Sequence, residues 1–361
     1  MTGAPLPAFG SLAPMLASTA LTVPAGAGWL YEPKWDGFRA IVFRAGGAAR
    51  LQSRDAKQLD RYFPELVQVL ARCLPDGCVL DGEIVVASGD GLNFDALQQR
   101  IHPAVSRIER LARETPASFV AFDLIGLDGM DISGLPQDER RMLLQALLLD
   151  APPPIHLTPM TTSHAEAIKW LGSFEGAGLD GVVAKAADGP YRPGERAMIK
   201  IKHVRTADCV VAGFRWHKRG QDAIASLLLG LYDDARVLHH VGSTSAFSMT
   251  ERRALVQELA PLRPPTLEGH PWARWAEAGS DAKRRMPGAQ SRWSGGKDLS
   301  WQALRPERVC EVRYDHLQAR RFRHAAIFLR WRFDKPPLAC RFDQLEVVAP
   351  YELARVFRGD C

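Results

Sequence analysis

Between residues 28 and 54, three apolar, alternating runs are separated by Asp36-Gly37 and Gly46-Gly47, dipeptides that favour the tight turns of β-hairpins. A chain that begins this way is committed early to antiparallel sheet, and the spacing predicts a meander of three strands. Lys34 falls on its first bend, within Tyr31-Glu32-Pro33-Lys34-Trp35-Asp36-Gly37-Phe38-Arg39-Ala40. Most lysines beside a turn are plain solvated surface. Here Lys34, Asp36, Gly37 and Arg39 form a spaced pattern that arises by chance on the order of once in a few hundred chains of this length.

Downstream, Pro64 opens an apolar-periodic run through Leu66, Val67 and Leu70 that predicts a helix ending near Pro75. Residues 78–87 alternate as a strand but contain Asp81-Gly82-Glu83, so Glu83 is a carboxylate in an apolar setting, where such groups usually have a task. Two short helices are expected at 94–102 and 105–113, an apolar strand at Ser118–Leu127 containing Phe122, and amphipathic helices at 136–149 and 163–174. The last is capped by Ser163 with Glu166 three residues on. Residues 179–185 read as a strand with Asp180 at its entrance and Lys185 at its exit. In the strand expected at 198–203, Lys200 and Lys202 share a face, because strand side chains repeat every two residues. Two lysines on one face repel unless an anion or water separates them. The elements follow no repeating βαβ order, which favours an α+β domain over a doubly wound sheet.

Near Thr206 the character changes. Lys and Arg number 21 against 23 Asp and Glu up to residue 206, and 25 against 18 thereafter, so a net −2 gives way to +7. Six of the nine tryptophans also lie in this second part. Basic charge interleaved with aromatics suits a polyanion, most simply nucleic acid, although a basic surface can also be only solvated. Short strands at 210–214, 225–232, 236–241, 309–314 and Ile327–Trp331, with one helix at 250–259, predict a small OB-type barrel. Residues 263–297, rich in Pro, Gly, Trp and Arg without a period, read as a long basic loop, a candidate for clasping nucleic acid. The expected organisation is an α+β domain over residues 1–206 and an all-β OB-fold barrel over residues 207–361.

The first twenty or so residues read as a loose leader without a signal-peptide pattern, and no stretch is apolar for the length of a membrane span. The expected location is the cytoplasm, with no membrane partner. Six cysteines (Cys73, Cys78, Cys209, Cys310, Cys340 and Cys361) form no Cys-x-x-Cys pair and read as reduced thiols.

The pattern around Lys34 resembles the nucleotidyltransferase motif of the ATP-dependent DNA ligases, whose relatives include RNA ligases and messenger-RNA capping enzymes. Further motifs of that family recur in order along nearly the whole chain. Singly, Phe122 would read as core, Glu83 as the partner of a core arginine, and Lys200 and Lys202 as a solvated face; their ordered co-occurrence carries the resemblance. It implies an N-terminal nucleotidyltransferase (adenylation) domain that uses ATP with Mg²⁺ or Mn²⁺. By this resemblance Lys34 is the adenylated nucleophile, Glu32 lies beside the adenine, and Arg39 and Arg54 contact the ribose or phosphate region. Glu83 binds the ribose hydroxyls, Phe122 stacks on the base, and Lys185, Lys200 and Lys202 surround the α-phosphate. Asp180 and Glu83 are the implied metal ligands. Arg332 and Lys335, in Arg332-Phe333-Asp334-Lys335, resemble the last motif, which orients the leaving pyrophosphate as the second domain closes. Asp180 stands where many relatives have Glu, and Met198 where an aromatic residue is frequent; neither change removes a charge. A lysine, with its ordinary pKa of about 10.4, must lose a proton before it attacks, and desolvation, the metal and the neighbouring lysines are the expected means.

Within the second domain, Ser291-Arg292-Trp293-Ser294, Lys297-Asp298-Leu299-Ser300-Trp301 and Arg321-Phe322-Arg323-His324 extend the resemblance to stand-alone bacterial ligases of the LigC type. The implied activity is nick sealing in DNA repair by a monomer associated with the nucleoid. Implied partners are nicked double-stranded DNA and repair proteins such as Ku or a repair polymerase. An RNA ligase or capping-type nucleotidyltransferase would use the same lysine. A catalytically inactive nucleic-acid scaffold would keep the fold, but intact Lys34, Glu83 and Lys185 argue against it.

Overall fold

The runs on either side of Lys34 do not form the expected meander. Trp29–Pro33 and Phe38–Ala45 belong to different sheets, so Lys34 lies on a crossing between sheets and not at a hairpin bend. Trp29–Pro33 pairs instead with Val182–Ala186, bringing fully buried Tyr31 opposite Ala184. The second expected turn does form: Phe38–Ala45 and Ala48–Ser53 make a hairpin, with Gly46 and Gly47 at φ 56° and 79° supplying its left-handed corner.

The computed structural model describes residues 10–89, 91–202, 205–218, 220–273, 300–315, 317–318, 320–322, 324–345 and 351–359. It divides into two units, Met1–His203 with Val348–Cys361, and Val204–Val347. In the first unit, one sheet runs in the order Leu16–Ala20, Arg196–Ile201, Val182–Ala186, Trp29–Pro33, with its first pair parallel and the others antiparallel. The second sheet runs Ile155–Leu157, Ser118–Leu127, Cys78–Val85, Phe38–Ala45, Ala48–Ser53. Met15, Ile41, Phe43, Val79, Ile125, Tyr191 and Met198 make a core cluster that draws on both sheets. Residues read as a loose leader thus supply an edge strand and a core side chain, Met15. The segment is too short and proline-broken for its alternation to stand out.

Helices cover the outer faces. Pro64–Cys73 begins with Pro64 in its first turn and buries Leu66 and Leu70 completely, a contribution of about 1.5–3 kcal/mol each. His164–Ser173 starts at Ser163, whose side chain accepts from Glu166 N at 3.3 Å as the capping pattern predicts, and buries Ala167 and Trp170. The last helix, Leu353–Arg358, also belongs to this unit. Leu353 and Val356 are buried in a core with Trp35, Trp170 and Val182, which corrects the assignment of all of residues 207–361 to the second domain.

The second unit is an antiparallel sheet in the order Leu238–Thr244, Gly220–Tyr232, Arg205–His217, Gln302–Tyr314, Ile327–Trp331. A parallel bridge between Thr244 and Ala326 joins its first and last strands, and the helix Met249–Leu259 lies between the third and fourth strands in sequence. Five strands closed in this way, with a helix before the fourth, make an OB-fold. Most of the expected basic loop at 263–297, with residues 291–294 and 297–299 and Arg323, lies outside the described residues. No helix among the described residues is long and apolar enough to cross a membrane, and the five described cysteines are unpaired thiols.

Candidate active site

The two sheets of the first unit contribute to a cavity of about 230 Å³. Its lining includes Glu32, Lys34, Arg39, Arg54, Glu83, Phe122, Lys185 and Lys200, which are spread over 169 positions of sequence. Strand register explains the convergence. Glu32 and Lys200 both lie opposite Val183, and Thr19 lies opposite Lys200, so these residues form one row across four strands. On the facing sheet Arg39 lies opposite Glu83. Phe122 is reached by an irregularity: Asp81 pairs with Asp123 and Gly82 with Ala121, leaving Phe122 as the extra residue of a bulge that re-aims its ring.

Lys34 is held at both backbone atoms. Its N–H donates to Gly181 O at 2.8 Å, and its carbonyl accepts from Asp180 N at 2.8 Å. Gly181 adopts φ +139°, and a Cβ there would stand 2.0 Å from Ile201 O, so the clamp requires glycine. The Lys34 ammonium pairs with Asp180 Oδ2 at 2.5 Å, and Lys202 Nζ reaches the same oxygen at 3.1 Å. Lys202 lies one residue beyond Arg196–Ile201, not inside the strand. Burial, with the charges of Lys34, Lys202, Arg196 and Arg54 around it, holds the Lys200 ammonium below the usual lysine range.

Glu83 is half-buried, and its Oε1 accepts from Gly37 N at 3.2 Å. Desolvation pushes its carboxyl up to about 7, against the opposing pull of Arg39 and Lys34. Arg39 donates to both oxygens of Asp81, at 2.6 and 2.5 Å, and its guanidinium lies 4.4 Å from the centre of the Phe122 ring. Tyr191 donates to Asp81 at 2.6 Å and accepts from Met15 N at 2.9 Å, tying the edge strand to the arginine.

Lys185 is buried. It pairs with Glu32 Oε2 at 2.9 Å, donates to Phe122 O at 2.8 Å and lies 5.0 Å from the ring centre. Its charge, expected to face the α-phosphate, is thus balanced within the protein. Glu32 Oε1 is buried 3.6 Å from Arg141 Nη1 and accepts no hydrogen bond among the described residues. In the second unit Arg332 Nη1 contacts both oxygens of Asp208 at 3.0 Å, and Lys335 reaches Asp208 at 2.8 Å.

Among the described residues, no three acidic, histidine or cysteine side chains cluster as a metal cage. Mg²⁺ needs none, since it is commonly held by one or two carboxylates with substrate phosphates. Glu83, on the cavity wall, suits that role; Asp180 is engaged by two lysines. Sequence reasoning missed Asp81, Tyr191 and the edge strand at Met15. Asp81, fully buried beside Glu83, carried the same signal of a carboxylate in an apolar strand.

Residues 13–202 match the family model for the ATP dependent DNA ligase domain, and residues 220–335 that for the ATP dependent DNA ligase C terminal region. The chain is 52% identical over 342 residues to DNA ligase C2 of Mycolicibacterium smegmatis, covering 94% of this chain and 96% of the relative. It is 51% identical over 358 residues to DNA ligase C of Mycobacterium tuberculosis, covering 98% and 99%. A solved structure from a study of Lig E DNA ligases overlays with a TM-score of 0.55 at 20% identity, covering 88% of this chain and 98% of that one, a likeness of fold.

Proposed function

This chain belongs to the ATP-dependent DNA ligase family, and we propose that it seals nicks in duplex DNA through AMP carried on Lys34. The observation that carries this reading is the convergence of eight motif residues on the cavity beside Lys34. In the first step the lysine amine, having lost a proton, bonds to the α-phosphorus of ATP as the bond to pyrophosphate breaks. Asp180, 2.5 Å away, orients the amine and is the acceptor at hand for its proton. AMP then passes to the 5′-phosphate of a nick, freeing the lysine, and the 3′-hydroxyl attacks that phosphorus as AMP leaves.

Glu83 accepts from the ribose hydroxyls, Phe122 stacks on the base, and Glu32 lies at the adenine end. Arg39 and Arg54 contact the ribose and phosphates, and Lys185, Lys200 and Lys202 offset charge at the α-phosphate. Arg332 and Lys335 act on the departing pyrophosphate. Glu83 is the carboxylate that would hold Mg²⁺ or Mn²⁺, which would supply charge neutralisation on the phosphate oxygens, while Asp180, expected as a second ligand, is held by Lys34 and Lys202 and serves the amine. Work in DNA repair at the nucleoid, as a monomer alongside Ku or a repair polymerase, completes the reading; co-purification from cell extract tests those partners.

Mass spectrometry after exposure to ATP and Mg²⁺ tests the first step. Wild type gains the mass of AMP and Lys34→Ala does not; equal labelling of both would sink the assignment. Parallel incubations with GTP, and with nicked DNA or RNA duplexes, separate a DNA ligase from a capping-type enzyme or an RNA ligase.

A further inference from the structure

Trp35, the residue after Lys34, is 5% exposed and has two anchors. Its indole N–H donates to Thr158 Oγ1 at 2.9 Å, and its ring is stacked on Phe357 of the last helix, with centroids 5.4 Å apart and planes within 10°. Phe357 also stacks on His156, at 4.1 Å and 17°. Burial holds the His156 imidazole down to about 4, so this stack is uncharged at neutral pH. The same helix also shares a core with the residues around the backbone clamp of the nucleophile. Leu353 and Val356 share a core with Leu179 and Val182, which flank the Asp180-Gly181 pair that clamps the Lys34 backbone.

We propose that Phe357 is a positioning residue for Lys34: it touches no reacting atom, and acts by holding Trp35 and, through it, the segment that presents the amine to the cavity. Without the ring, Trp35 keeps one hydrogen bond and faces a void, so the amine samples more positions. Displacements of about 1 Å at a nucleophile can cost up to about a hundredfold in rate. The proposal rests on the ligase reading above.

The test uses full-length wild type, Phe357→Ala and Phe357→Tyr, with Phe357→Leu to fill the volume without a ring should the alanine variant fail to fold. Two steps are timed: AMP transfer from ATP to Lys34 across ATP concentrations, and closure of a nick that already carries a 5′-adenylate, in which Lys34 forms no bond. For Phe357→Ala, adenylation at saturating ATP is expected to fall about tenfold or more, with half-saturating ATP and closure of the adenylated nick each within about twofold of wild type. Phe357→Tyr restores the rate, and Phe357→Leu does not. Equal loss of both steps, a change confined to half-saturating ATP, or wild-type adenylation in the alanine and leucine variants would overturn the proposal. A wild type that forms no adenylate would instead bring down the ligase reading, and the proposal with it.

Discussion

Glu83 shows what a useful residue costs the fold. Its carboxyl titrates at about 7 in the folded chain, against an ordinary value of 4.5, because burial disfavours its charge more than Arg39 and Lys34 favour it. A carboxyl raised in this way supports the fold while protonated. That support is complete below the unfolded pKa and is lost as the pH rises through about 7. At pH 8 the ionised form costs stability on the order of 3 kcal/mol. Glu83→Gln keeps the shape without the charge, so urea denaturation should find it more stable than wild type at pH 8 and near equal to it at pH 4. A difference independent of pH would refute the titration. Because only the ionised form is a full acceptor for ribose hydroxyls or a metal ligand, wild-type adenylation should also rise through neutral pH. At this scale the sequence displayed the acidic and basic side chains but not their pairings. That Lys185 is balanced by Glu32, or that Phe122 sits on a bulge, depends on register across strands far apart in the chain.

Among the elements, those with strong periodicity were legible: Ser118–Leu127 and the helices beginning at Pro64 and Ser163 form close to where the pattern puts them. The edge strand Leu16–Ala20 and the last helix were not, since each is short and is stabilised by partners remote in sequence. The crossing at Lys34 failed as a predicted hairpin for a related reason. An Asp-Gly dipeptide permits a turn, but Trp29–Pro33 gains a buried partner in Val182–Ala186 that a hairpin would deny it. That pairing sets Gly181 against Lys34, and Gly181→Ala tests its importance. The added Cβ would meet Ile201 O at 2.0 Å in a conformation that alanine avoids, so the backbone must move. Single-turnover adenylation is expected to fall by about tenfold to a hundredfold, with thermal stability lowered as well. A variant with wild-type adenylation would show that the clamp does not govern the amine.

For the whole molecule, charge asymmetry is the property that local contacts do not contain. The second unit, residues 204–347, holds 24 Lys and Arg against 16 Asp and Glu, a net +8 that accompanies an OB-fold, while the unit that carries the cavity holds 22 against 25, net −3. The barrel topology was legible as a class, from short strands and an intervening helix, but its closure through Thr244 and Ala326 was not. If the basic surface holds duplex mainly by phosphate contacts, each neutralised phosphate releases condensed counterions, and affinity must fall steeply with salt while base order matters little. With about six such contacts, the slope of log K against log salt is about −5, and raising salt from about 50 to 200 mM weakens binding roughly a thousandfold. Fluorescence anisotropy on nicked duplexes of three unrelated sequences measures both quantities. Agreement among sequences within about threefold is expected, since backbone contacts carry no base information. A slope near −1, or a tenfold preference for one sequence, would mean that binding rests on base contacts or shape and not on the charge of the second unit.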